Sequence, residues 1–102
     1  MDNATDKLIK TRQSLMESFR NDLPVLRARV RISQKDLSEK IGISRQTYSG
    51  IDTGKREMTW TTFLAPVAFF QNNEQTKAMV SQIDGFDSGM ESVMETKTGS
   101  DR

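Results

Sequence analysis

The sequence holds no cysteine and no histidine in 102 residues. Without cysteine there is neither a disulfide nor a thiolate metal site. Without histidine the chain lacks the commonest general base, the commonest metal ligand and the usual near-neutral pH switch. An enzyme would have to use carboxylates, lysine or tyrosine, and no cluster of these stands out. Asp36 and Glu39, three residues apart, are what any solvated helix face shows. No phosphate-binding loop, metal-ligand set or nucleophile–base pair is present. The expectation is a non-enzyme with no catalytic residue, no metal and no cofactor.

Long apolar runs are missing too. None approaches the ~20 residues of a membrane span, and the first residues, Met1-Asp2-Asn3-Ala4-Thr5-Asp6, lack the order of a signal peptide. The expected location is the cytoplasm, with no membrane partner. The chain is long enough for one domain, and its 34% of apolar and aromatic residues supports a modest core.

The net charge of +1 hides an asymmetry. From Pro24 to Arg56 eight cations face three anions, a net of +5. From Asp84 to Arg102 two cations face five anions, a net of −3. A basic centre with an acidic end suits a polyanion-binding module. Cations that merely solvate helix faces would give the same count.

Strand-like alternation is absent, so the fold class is all-α. Ala4 to Arg20 is expected to be an amphipathic helix, with Leu8, Ile9, Leu15, Met16 and Phe19 on one side. The face holding Leu15, Met16 and Phe19 is either core cover or a dimer surface. Asn21-Asp22 offers a turn, and Pro24 disfavours helix at Leu23, so a second helix is expected to begin at Pro24. Ser33 caps the next helix, Gly42 ends it, and Ser44 caps another that runs to about Thr53. Thr59 caps a helix with Met58 and Phe63 as a staple; Pro66 is expected to kink it. A last helix is expected from Glu74 to about Ile83. From Asp84 the Gly-, Ser- and acid-rich composition reads as a mobile tail, with Ser88 to Glu91 a capping box for a short helix of little stability alone. The division is therefore 1–20 as an extension, 21–83 as the domain and 84–102 as a flexible acidic tail.

The informative segment is Gln34 to Thr53, two short helices joined by a glycine-containing turn. The run Ser33-Gln34-Lys35-Asp36-Leu37-Ser38-Glu39-Lys40-Ile41-Gly42-Ile43-Ser44-Arg45-Gln46-Thr47-Tyr48-Ser49-Gly50-Ile51-Asp52-Thr53-Gly54-Lys55-Arg56 resembles the core of the Cro/C1-type (xenobiotic-response-element type) helix-turn-helix repressors. The resemblance covers about Leu23 to Val80. It implies a five-helix lambda-repressor-like domain that binds double-stranded DNA through its second and third helices.

On the third helix, Tyr48 and Ile51 define the buried side at about 100° per residue, leaving Gln46, Ser49, Gly50 and Thr53 outward. Arg45 stands on the N-terminal turn, which approaches base edges in this docking mode. Arginine bonds two acceptors of guanine, and glutamine bonds the donor–acceptor pair of adenine. Arg45, Gln46 and Ser49 are the expected base-reading residues. Gln34, at a helix start suited to an anion, is an expected phosphate contact. The resemblance adds Ser44, Thr47, Lys55 and Arg56. Gly50 either allows close backbone approach or forgoes a reading side chain.

The leading expectation is a sequence-specific transcriptional regulator, a repressor acting as a homodimer. The alternative is an antitoxin-like module that binds its own operator and grips a protein partner through the N-terminal helix or the acidic tail.

Overall fold

The computed structural model describes residues 3–96. Six helices and no strand occur among the described residues: α1 (Asn3–Val30), α2 (Gln34–Ile41), α3 (Arg45–Asp52), α4 (Trp60–Gln71), α5 (Lys77–Ser81) and α6 (Phe86–Met94). The fold is all-α, as expected.

α1 departs from the expected pattern. It runs unbroken through Pro24 for 28 residues, so the break expected at Asn21-Asp22 and the boundary at residue 20 both fall inside one helix. The physical reason is a continuous apolar stripe. Leu15, Phe19, Leu23 and Leu26 are all buried at spacings of four, four and three, and they hold both sides of the proline in one core. Pro24 itself is exposed. An interior proline costs about 3 kcal/mol, comparable to the burial of one or two large side chains. At about 1.5 Å per residue α1 is about 42 Å long and accounts for the 45 Å long axis of the molecule. It ends at Arg31, in a left-handed conformation (φ 64°). The Ile32 and Arg31 N–H groups donate back to the Arg27 and Ala28 carbonyls at 3.1 and 3.2 Å, which satisfies the helix end.

The acidic end departs from the expected pattern as well. Residues from Asp84, expected as a mobile tail, instead form α6 against α1. Phe86 is fully buried, its ring 5.9 Å from Phe19 and 6.5 Å from Phe63. A Cβ on Gly89 would lie 2.8 Å from the Leu15 side chain, so the glycine lets the two helices meet closely. A two-turn helix is marginal alone; the buried phenylalanine makes this one part of the fold. The part of the expected tail from residue 97 on lies outside the described residues.

The remaining helices follow the sequence closely. Ser33, Ser44 and Thr59 each accept a hydrogen bond from the N–H three residues on. Met58 and Phe63 are both in the core. α4 continues through Pro66, whose ring is buried. The expected last helix is shorter, Lys77–Ser81. Its approach is fixed by the Asn73 side chain, which accepts from the Gln75 N–H at 2.9 Å, and by buried Thr76, whose hydroxyl donates to the Phe70 carbonyl at 2.8 Å.

Candidate nucleic-acid interface

α2 and α3 are joined by a tight turn. Gly42 (φ 80°) closes α2, and Gly42 and Ile43 both donate to the Ser38 carbonyl. Ser38 is buried, and its hydroxyl donates to the Lys35 carbonyl at 2.8 Å. Leu37, Tyr48 and Ile51 anchor the pair in the core.

The centre of the site is a network the sequence reading missed. Asp52, its side chain only 5% exposed, accepts from Arg27 at 3.0 Å and from the Gln34 amide at 2.9 Å on one oxygen. Its other oxygen accepts from the Tyr48 hydroxyl at 3.1 Å. One carboxylate thus ties α1, α2 and α3 together. Arg27 also reaches the Ile32 carbonyl at 3.4 Å. Burial, with the Asp52 charge adding to it, pushes the Tyr48 hydroxyl above the usual tyrosine range, so it stays protonated and keeps donating. Arg27 and Asp52 are 25 residues apart in the chain, and no local spacing announces the pair.

The three residues expected to read bases share the outer side of α3. Arg45 and Gln46 are exposed on its first turn, and Ser49 is half-buried. The side chains of Arg45 and Gln46 make no hydrogen bond or ion pair among the described residues. They are free to meet a ligand, and the network behind α3 fixes the helix that carries them.

The residues expected at the DNA backbone divide. Ser44 and Thr47 lie together: the Ser44 hydroxyl accepts from the Thr47 N–H at 3.0 Å and donates to the Thr47 hydroxyl at 2.8 Å. The Thr47 proton remains available to an outside acceptor. Gln34 is half-buried at the start of α2, with one amide proton already given to Asp52; its carbonyl, second amide proton and backbone N–H remain. Lys55 and Arg56 are exposed beyond α3. Gly54 takes a left-handed turn (φ 81°), and the Lys55 and Arg56 N–H groups both donate to the Gly50 carbonyl at 2.9 and 3.0 Å. Arg20 of α1 joins them unforeseen, its guanidinium 2.8 Å from where a Gly54 Cβ would stand. Arg20, Lys55 and Arg56 have no carboxylate within salt-bridge distance among the described residues.

Side chains with open donors, helix N-termini and unpaired cations together make a surface suited to polyanion binding. No described helix is long and apolar enough to cross a membrane. In comparisons with known proteins, a family model described as helix-turn-helix matches residues 26–59. That span begins beside Arg27, covers α2 and α3, and ends at the cap of α4. No curated protein and no solved structure matches the chain.

Proposed function

From a chain whose residues 26–59 form a Cro/C1-type helix-turn-helix, and which is therefore of the DNA-binding transcription-regulator type, we propose a cytoplasmic, sequence-specific repressor that reads the major groove with α3. The observation that carries this is the free pair Arg45 and Gln46 at the exposed start of a helix pinned through Tyr48, Ile51 and Asp52. Arg45 takes guanine acceptors and Gln46 an adenine edge; Ser49 adds a third contact. Gln34, Ser44, Thr47, Lys55 and Arg56 hold the flanking phosphates. One such module reads only a few base pairs, so the protein acts as a homodimer on half-sites about 34 Å apart.

The antitoxin-like reading is placed second. It rests on the extra N-terminal helix and the acidic tail, but Phe19 of α1 and Phe86 of α6 pack together in the core, which gives parts of both segments a structural role.

The test is selection from random duplex DNA at physiological salt. An enriched palindrome, with its preference altered in Arg45→Ala, is the expected result. Weak, salt-sensitive binding with no enriched sequence would refute the proposal.

A further inference from the structure

Gly50 lies on the outer face of α3, one turn beyond Gln46. A side chain here would project toward whatever the helix docks against. Arg56 occupies that space instead. A Cβ on Gly50 would lie 2.9 Å from the Arg56 Cβ, 3.3 Å from its Nε and 3.6 Å from its Cδ. The side chain of Arg56 therefore lies along the bare backbone of α3.

The chain is built to hold it there. The Gly54 turn reverses direction, and the Arg56 N–H is bonded to the Gly50 carbonyl at 3.0 Å. The guanidinium itself has no ion pair or hydrogen bond among the described residues. Its donors stay open while its stem lies against the backbone of α3. This gives a physical use for a glycine that otherwise only weakens the helix. The atom nearest to an added Cβ is the Arg56 Cβ, next to the backbone and unable to swing aside as a side-chain tip would.

We propose that Arg56 is a base-reading residue: its guanidinium takes the place of the side chain that Gly50 lacks and bonds a guanine edge in the major groove beside Arg45 and Gln46. The inference rests on α3 being the reading helix. It gives Arg56 a base-reading role in place of the phosphate role that its position after α3 suggests, and leaves Gln34, Ser44, Thr47 and Lys55 as the phosphate contacts. The planar fork of arginine matches the two guanine acceptors, whereas lysine offers only a point charge.

The experiment compares the full chain with Arg56→Ala, Arg56→Lys and Gly50→Ala in selection from random duplexes, followed by titration of the selected site and of the same site with the guanine replaced. The unsubstituted chain is expected to select a guanine that Arg56→Ala ignores, all other positions being unchanged. Binding of Arg56→Ala to the selected site should fall by about five- to a hundredfold, and replacing the guanine should then cost it little more. Arg56→Lys should recover salt dependence but not the guanine preference. Gly50→Ala, which displaces the stem, should lose the same preference. Arg56 is exposed, so its variants carry the test if Gly50→Ala does not fold. If Arg56→Ala keeps the whole motif and loses affinity equally for every sequence, Arg56 is a phosphate contact and the proposal is overturned. If the unsubstituted chain enriches no motif, the reading of α3 fails, and this proposal fails with it.

Discussion

Asp52→Asn isolates the network behind α3. The substitution keeps the shape of the side chain and removes its charge. Asp52 accepts three hydrogen bonds in a site where its side chain is 5% exposed. An asparagine has one acceptor oxygen. If it faces Tyr48, the amide nitrogen opposes the donors of Arg27 and Gln34; if it faces them, the tyrosine loses its charged acceptor. Either way the Arg27 guanidinium, 19% exposed, is left without its counter-ion. Removing one partner of a buried pair costs about 3–5 kcal/mol. Two effects favour the lower end. Arg27 still reaches the Ile32 carbonyl, and a negative charge at the C-terminal end of α3 is unfavourable by a few tenths of a kcal/mol. The expected loss is about 3 kcal/mol, or a melting temperature lower by about 12–24 °C for a chain of this size. Urea unfolding followed by far-ultraviolet circular dichroism measures it. With Arg27→Met and the double variant it forms a cycle, in which the two single losses should exceed the double loss by about 2 kcal/mol. A loss below about 1 kcal/mol for Asp52→Asn, or strictly additive single losses, would show that the network does not hold the three helices.

Tyr48→Phe should cost about 1 kcal/mol at neutral pH. The folded state holds the Tyr48 hydroxyl above its ordinary range, so its contribution is intact below about pH 10, the unfolded value, and declines above it. The stability gap between the two proteins, measured by urea unfolding across that range, should therefore narrow as pH rises, and a constant gap would contradict the assignment. Phe86→Ala removes a fully buried ring and should destabilise the protein by about 3–5 kcal/mol; a loss under about 1 kcal/mol would return α6 to the status of a dispensable tail. Lys55→Ala should lower the slope of log affinity against log salt by about one while leaving the selected motif unchanged, and a changed motif would count against a phosphate role.

The turn between α2 and α3 was legible because it is local. Ser33, Gly42 and Ser44 act within a few residues of themselves, through side-chain caps and a left-handed glycine, and each does what its position predicts. The exposure of Gln46 was legible for the same reason, since helical periodicity places it opposite Tyr48 and Ile51, and that of Arg45 followed from its place on the first turn of α3. Pro24 and the acidic end misled because their local preferences are real but outweighed. Leu23 and Leu26 draw the chain on either side of the proline into one core. Phe86 does the same for a glycine- and acid-rich stretch that could not stay helical alone.

The sequence by itself determined the helical class, the caps, the helix-turn-helix and the outward set on α3, all of which depend on neighbours within about one or two turns. Tertiary structure alone decided the carboxylate that joins Arg27, Gln34 and Tyr48, the arrival of Arg20 at Gly54, and the lodging of Arg56 over Gly50. Each needs two segments to meet in space. A charged or glycine residue carries no mark of its distant partner until apolar burial has fixed the helices and made an unpaired buried charge costly.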